Sequence, residues 1–551
     1  MSRSVRETLL FWLSAATKSP NTQRRDAARS SQICQESVRE TLLFWLSKAT
    51  KSPSTQRWDT ALNFADRWSI MGEYISCSNH EERVGITMEN NVKCFLEGLN
   101  GKTIALCGIG GSNLPLIQLF NRYGAVVLAC DKRERDVLGE NACLAEQAGA
   151  ALRLGEGYLN NLHADILFRT PGMRFYMEEL TAARQQGTAV TSEMEVFFDL
   201  CPCPIIAVTG SDGKTTTTTI ISEMLKTQGY AVHLGGNIGR PLLPDIESIQ
   251  PTDVAVVELS SFQLISMRKS PAIAVVTNLA PNHLDIHKDM QEYINAKRNI
   301  VLHQNAFGKA VLNLDNEIAR SFASDTRGQT AYFSRQQKPS NGAYCSQDGK
   351  IVMNDYGHET FIMDACDIKI PGLHNIENYL AAITAVWGMV SVETIRQVAM
   401  TFGGVEHRAE LVRELHGVKY YNDAIGTSPT RTIKGTLSLY DRKIILIAGG
   451  YDKHLSYDEM GAIIPDKVKV LILFGATADK IETATRAAAA YREGCPLILR
   501  VNSMEEAVQA AQAHAVAGDI VSMSPASASF DLYKNFAEKG QHFKRLVNEL
   551  T

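Results

Sequence analysis

The sequence predicts an α/β protein, three successive strand–helix units behind a helical N-terminal extension. Three observations lead there. Short apolar runs that end in a glycine turn ("KTIALCGIGG", "IIAVTGSDG", "KIILIAGG") alternate with stretches of helical spacing. The 551 residues are too many for one core and suit about three domains. An apolar content of 45% and a charged content of 21% are those of an ordinary globular chain.

Composition narrows the partners. The formal net charge is −4 with both signs well mixed, which gives no support to nucleic-acid binding. No apolar run approaches the roughly 18 residues of a membrane span, and the N-terminus does not read as a signal peptide. The 11 cysteines are scattered, and Cys201-Pro202-Cys203 lacks a second pair at zinc spacing. Reduced thiols in a cytoplasmic protein are the expectation, with a regulatory disulfide as the alternative.

The extension opens with a repeat. "SVRETLLFWLSAATKSPNTQR" (4–24) recurs as "SVRETLLFWLSKATKSPSTQR" (37–57), with two of 21 positions changed. Ser4 and Ser37, with Glu7 and Glu40 three residues on, read as capping boxes. Pro20 and Pro53 end the two helices. A docking pair of helices and a loosely attached extension without catalytic role are both open readings. Two copies are too few for a solenoid. Met71 or Met88 would serve as the start of a shorter working protein.

Residues 1–94 are therefore assigned to the extension, 95–203 to the first α/β unit, 204–404 to the second and 405–551 to the third. In the first, strands are expected at "KTIALC", "AVVLACDK" (125–132) and "ADILFR". In the second they are expected at "IIAVTG", "VAVVELS", "AIAVVTN" and "AVLNLD", followed by a β-rich stretch near 343–370 and a helix over "HNIENYLAAITAVWGMV". Gly403-Gly404 in "TFGGVEHR" reads as a hinge. The third unit carries "KIILIAGG", "KVLILFG" and "DIVSMSP".

Five sites at strand ends carry candidate chemistry. In "TGSDGKTT" the phosphate-loop rule G-x-x-x-x-G-K-[ST] holds at Gly213-Lys214-Thr215, but Val208 occupies the first glycine position. Gly210 and Gly213 instead shape a shorter anion nest at a helix N-terminus. Lys214 would face the β- and γ-phosphates, and Thr215 and Thr216 phosphate and metal; the three threonines after them read as helix residues. Glu258 ends "VAVVELS", where a phosphate-binding sheet places a Mg²⁺ ligand or a water-orienting acid; alone, it reads as well as an exposed strand-end acid. "VVTNLAPNHLDIH" brings His283, Asp285 and His287 to the same sheet edge, and Lys297 follows on an amphipathic helix. "GIGGSN" (108–113) with Asp131 is a weak dinucleotide signature, because Asn113 replaces the third glycine. It fits a nicotinamide dehydrogenase or a nucleotide pocket without that cofactor. The C-terminal set "YYNDAIGTSPTRT", "AGGYDKHL" and "SPASASFDLYKNF" gathers hydroxyls and a lysine suited to carboxylates.

Taken together and in this order, "TGSDGKTTT", "ELSSFQL", "PNHLD", "HNIENYLAA", "EHRAE" and "GGYDK" resemble the Mur ligase family, from about residue 95 to the C-terminus. "ELSSFQL" and "SPASASFDLYKNF" are similar to the members that add D-glutamate to UDP-N-acetylmuramoyl-L-alanine in cytoplasmic peptidoglycan precursor synthesis. The resemblance implies a Rossmann-like N-terminal domain, a central P-loop ATPase-like domain, a Rossmann-like C-terminal domain and a monomeric enzyme. It implies that Gly210, Ser211, Asp212, Gly213, Lys214, Thr215 and Thr216 hold ATP, with Asn378, Arg408 and Asp423 reaching it across the hinge. Thr215, Glu258, His283 and a Lys297 carbamylated by CO₂ would hold two Mg²⁺. Lys214, His283 and Lys297 would be the catalytic residues. Gly110, Ser112, Asp131, Arg133, Thr170-Pro171-Gly172 and Asn237 would hold the UDP substrate. Thr427, Lys453, Ser529 and Phe536 would hold D-glutamate.

The chain departs from the family in three places. Ala424-Ile425-Gly426 stands where Ser-Lys-Ala is frequent, Ser527 where Cys is frequent, and Asn282 where Asp is frequent. The chemistry implied is phosphorylation of the alanyl carboxylate by ATP, then attack of the D-glutamate amine on the acyl phosphate. Rival expectations are another ligase of this superfamily, adding L-alanine or building folate polyglutamate, and a nucleotide-binding module without catalysis.

Overall fold

A computed structural model describes residues 88–551 except 282–285. The duplicated segment and Met71 lie outside the described residues, as do His283 and Asp285. A helix, Met88–Glu97, leads into the first sheet, with Val92, Leu96 and Leu99 buried.

The first sheet is wholly parallel. Strands β1 (Thr103–Cys107), β2 (Val126–Asp131), β3 (Ala151–Leu154), β4 (Ile166–Arg169) and β5 (Ala189–Thr191) lie in the order β3-β2-β1-β4-β5. Alternation along β1 sends Ile104 and Leu106 into one buried cluster and Ala105 and Cys107 into another. Both faces are thus covered, as a parallel sheet requires. The chain leaves β1 toward β2 and later crosses to β4 on the other side. The glycine turn after β1 therefore stands at the switch point of the sheet, where ligands bind.

The second sheet repeats this logic with β6 (Ile205–Thr209), β7 (Val232–Gly236), β8 (Val254–Glu258), β9 (Ile273–Val276), β10 (Lys309–Asn313) and β11 (Gln329–Phe333). Its order is β11-β10-β9-β6-β8-β7, all parallel. Central β6 is buried along its whole length. Its register pairs Val208 with Glu258 and Thr209 with Val276, so the phosphate loop and Glu258 emerge side by side. The helix Lys214–Gln228 follows and packs against the helix Leu373–Val386.

An antiparallel sheet of β12 (Asn341–Cys345), β13 (Lys350–Asp355) and β14 (His358–Asp364) fills the β-rich stretch. The last sheet contains β15 (Glu410–Leu415), β16 (Val418–Asn422), β17 (Ile444–Ala448), β18 (Val468–Leu473), β19 (Leu497–Arg500) and β20 (Ile520–Met523). Its order is β15-β16-β20-β17-β18-β19, with only β15 antiparallel. The α/β class read from the sequence is the class observed.

Two buried polar side chains tie the first sheet to the second. Arg169, at the end of β4, donates to the Phe262 carbonyl at 3.0 Å and to Ser266 Oγ at 2.6 Å. Glu193 Oε1 accepts the backbone N–H groups of Leu242 and Leu243, both at 2.9 Å. Burial raises the Glu193 carboxyl to about 7, against the lowering effect of those two amides. The folded state therefore holds this proton more tightly than the unfolded chain does. That contribution is complete below about pH 4.5 and is lost as pH rises through about 7, a change of about 3 kcal/mol. Urea unfolding at about pH 5 and about pH 8 should show this loss in the native chain and its absence in Glu193→Gln. Equal pH dependence in both proteins would refute the assignment.

Candidate active site

The loop between β6 and its helix needs its two glycines. Gly210 has φ +152°, and a Cβ there would stand 1.9 Å from Thr277 Oγ1. Gly213 has φ +80°, and a Cβ there would stand 2.4 Å from Asn378 Oδ1. The loop is fastened to the end of β9. Ser211 Oγ accepts Ala280 N–H at 2.9 Å and lies 2.9 Å from the Ala280 carbonyl and from Tyr293 OH. Asp212 N–H donates to Asn278 Oδ1 at 3.0 Å, and Thr277 Oγ1 donates to the Asp212 carbonyl at 2.6 Å. Ser211 is thus a buried anchor, while Asp212 keeps its carboxylate exposed. The fixed loop holds the positive end of the helix dipole at the sheet edge.

Glu258 is the centre of the site. It is 2% exposed, yet both carboxylate oxygens are engaged from the loops. Thr215 Oγ1 donates to Oε2 at 2.7 Å, and Asn237 Nδ2 donates to Oε1 at 2.8 Å. Asn237 N–H also donates to the Glu258 carbonyl at 2.8 Å. Lys297 lies beneath, donating from Nζ to the Gly210 carbonyl at 2.9 Å and to Thr209 Oγ1 at 3.1 Å. Burial pushes its ammonium well below the usual lysine range, and the charge of Lys214 adds to this while Glu258 opposes it. Lys214 Nζ donates to the carbonyls of Gly210 and Ser211, both at 3.0 Å. Its pKa is also lowered by burial, with Glu258 and Asp212 opposing and Arg408 and Arg431 reinforcing.

Arg408 joins this group from the far side of the hinge glycines. Burial lowers its pKa, Glu258 and Asp423 oppose, and its buried Nε has no partner among the described residues. Lys214, Arg408 and Arg431 act on one another as like charges, with Glu258 and Asp212 opposing on both Lys214 and Arg408. Such an arrangement suits a polyphosphate that brings the missing negative charge. The hard oxygen donors Thr215 and Glu258 suit Mg²⁺. An unmodified Lys297 ammonium does not ligate a cation, but an amine of lowered pKa can take up CO₂ and so become an oxygen donor.

The remaining ATP-side residues divide. Thr216 is buried in the helix, and Thr218 and Thr219 bond back to the carbonyls of Lys214 and Thr215. Thr217 reaches Asn378 Oδ1 at 3.2 Å, so Asn378 holds the helix start, with its Nδ2 on Asn375. Asp423 is 2% exposed and accepts from Ser524 Oγ at 2.7 Å, Thr436 Oγ1 at 2.9 Å and Ala409 N–H at 3.3 Å. Its carboxylate is occupied inside the last sheet, where it fixes the residue next to Arg408. Ser524 and Thr436 share its Oδ2, while Oδ1 accepts only the longer bond from Ala409 N–H.

At the edge of the first sheet, Asp131 accepts Ile109 N–H at 2.9 Å and pairs with Arg133 through Nε at 2.9 Å and an Nη at 2.8 Å. Burial raises its pKa, and the guanidinium and the amides of Arg133 and Ile109 outweigh that, leaving it lowered. Asn113, the departure from the dinucleotide pattern, donates to the carbonyls of Cys107 and Gly108 at 3.1 and 3.2 Å and staples the turn. Gly110 and Gly172 face open space, with Ser112 and Thr170-Pro171 partly exposed beside them.

In the last unit Lys453 is exposed, Thr427 is half-buried, and Phe536 is 37% exposed with its ring edge on His407. Ser529 is buried, and its Oγ has no partner among the described residues. The residue missed from the sequence is Lys539, which is fully buried. A signal was present: Lys539, Phe543 and Val547 recur every four residues on the core face of the helix Phe536–Glu549.

The Mur ligase middle domain model matches residues 208–386, and the Mur ligase, glutamate ligase domain model matches 407–527. The UDP-N-acetylmuramoylalanine–D-glutamate ligase of Acetivibrio thermocellus is 53% identical over 84% of this chain and all of its own length. The ligase of the same name from Ruminiclostridium cellulolyticum is 48% identical with the same coverage. The crystal structure of UDP-N-acetylmuramate–alanine ligase from Thermotoga maritima shares the fold, with a TM-score of 0.50 and 16% identity, over 81% of this chain and 99% of its own. The chain belongs to the Mur ligase family.

Proposed function

We propose that the chain is the ATP-dependent ligase that joins D-glutamate to UDP-N-acetylmuramoyl-L-alanine in peptidoglycan precursor synthesis. The observation that carries this is the convergence on Glu258 of Thr215 from the phosphate loop and Asn237 from the loop after β7. One carboxylate thereby joins a nucleotide-facing hydroxyl to a substrate-facing amide. The family and the names of the 53% and 48% identical relatives support the same reaction.

The proposed steps balance as follows. The alanyl carboxylate attacks the γ-phosphorus of ATP, releasing ADP and forming an acyl phosphate. The neutral amine of D-glutamate attacks the acyl carbon, phosphate leaves, and the amine loses a proton. Lys214, Arg408 and the loop amides stabilise the charge gathered between ATP and the carboxylate. Mg²⁺ at Thr215 and Glu258 would neutralise phosphate charge; the proposed second ion draws on His283 and a carbamylated Lys297. The UDP end rests on the turn around Gly110, Ser112 and Asp131–Arg133, with Thr170–Gly172. D-Glutamate is held by Thr427, Lys453, Ser529 and Phe536. Residues 95–203, 204–404 and 405–551 act as three domains, and closure at Gly403-Gly404 keeps water from the acyl phosphate. A cytoplasmic location is supported by the nine described cysteines, which are all free thiols, and no helix among the described residues is long and apolar enough to cross a membrane.

The test is phosphate release with UDP-N-acetylmuramoyl-L-alanine and ATP, amino acids being added singly. Release is expected with D-glutamate alone. No release with D-glutamate, or equal release with L-alanine, would overturn the reading.

A further inference from the structure

Lys539 has no role in the reaction just described, yet it is among the largest fully buried side chains. Burying an ammonium is costly unless it is partnered, and no carboxylate among the described residues lies within ion-pair distance of it. Its Nζ instead points to two carbonyls, Gly449 and Ala528, each at 3.4 Å. It also faces the rings of Phe474 at 5.4 Å and Tyr533 at 5.7 Å. Burial lowers its pKa to about 8, with Asp531 opposing.

The two carbonyls belong to the turns that carry the amino-acid side of the site. Gly449 and Gly450 follow β17 and lead to Lys453. Ala528 follows β20 and precedes Ser529. The turns already meet through Tyr451 N–H, which donates to the Ala528 carbonyl at 2.9 Å, and Gly449 N–H, which donates to the Pro525 carbonyl at 2.8 Å. Lys539 clamps both from below. The fit leaves no room for change, since a Cβ on Gly450 would stand 2.3 Å from the Ala528 carbonyl and 2.9 Å from Lys539 Nζ. The third wall comes from the lysine's own helix, where Phe536 lies three residues earlier, one turn away.

We propose that Lys539 is a positioning residue for the amino-acid pocket, holding the Lys453 turn, the Ser529 turn and Phe536 in one geometry. This rests on the assignment of those three residues to D-glutamate. Lys539 does not touch the substrate. Its cation fixes the walls, so its loss weakens recognition of the incoming amino acid and leaves the nucleotide sites as they are.

Steady-state kinetics with each substrate varied in turn tests this. Lys539→Met keeps the length of the side chain and removes its charge and donors. It should raise KM for D-glutamate about tenfold or more while KM for ATP and for UDP-N-acetylmuramoyl-L-alanine stay within about twofold. Lys539→Gln, which keeps a donor, should lie between, and it carries the test if the Met variant shows no cooperative melting transition. A uniform change in all three KM values, or none, would overturn the proposal. Ser529→Ala separates the two readings. If it leaves KM for D-glutamate unchanged, the pocket assignment fails; if it raises that KM and Lys539→Met does not, only the clamp fails.

Discussion

Glu258→Ala should lower the rate of phosphate release by about a thousandfold or more. The size follows from how many functions end on this carboxylate. It accepts from Thr215 and Asn237, and it is the acid whose charge opposes the burial of Lys214, Lys297 and Arg408. Alanine removes the proposed Mg²⁺ ligand, frees the loop after β7 and leaves three cations without their shared counter-charge. Lys214→Ala acts from the other side, withdrawing the cation nearest the helix N-terminus, and a similar loss is expected. A rate within about tenfold of the native enzyme in either variant would remove this cluster from the reaction.

Lys297→Met should cost about a hundredfold or more in kcat, and a labelled carbamate should disappear with it. The amine is buried between Gly210 and Thr209, and burial and the Lys214 charge both disfavour its protonated form. Only a neutral amine adds to CO₂; the nitrogen bonds to carbon, a proton leaves, and a carboxylate-like group results. The modification should therefore weaken as pH falls and the amine is protonated. Incubation with ¹³C-bicarbonate should give a carbamate carbon resonance in the native protein that is absent from Lys297→Met and fades on acidification. No such resonance at any pH would leave Lys297 as a cation that braces the loop.

Much of the site was legible because its signals are local. A strand, two glycines and Lys-Thr place an anion nest wherever that chain segment folds as a strand–turn–helix, and Val208 proved to be a buried strand residue. The roles of Asn113, Asp423 and Lys539 were not legible. Asn113 looked like a lost glycine until its side chain was seen to staple the turn. Asp423 is expected by resemblance to contact the nucleotide, and only folding brings Ser524 and Thr436 from distant parts of the chain onto its Oδ2. The spacing of Lys539 with Phe543 and Val547 marks its burial, but not the two carbonyls it bridges, which follow strands far apart in sequence.

The strands divide in the same way. Interior strands such as β6, β8, β9 and β17 are buried at every position and stand out as continuous apolar runs. Apart from the interior β16, the strands of the three large sheets that the apolar runs did not reveal, β3, β5, β7, β11, β15 and β19, are their edges. Each is partly exposed along most of its length, so its composition carries no such run. Local composition was enough for the fold class, the phosphate loop and the carboxylate at the strand end, since each depends on a few neighbouring residues. Sheet order, the pairing of Val208 with Glu258 and the burial of Asp423 and Lys539 arose only on folding, because burial and charge compensation depend on which distant segments come to lie together.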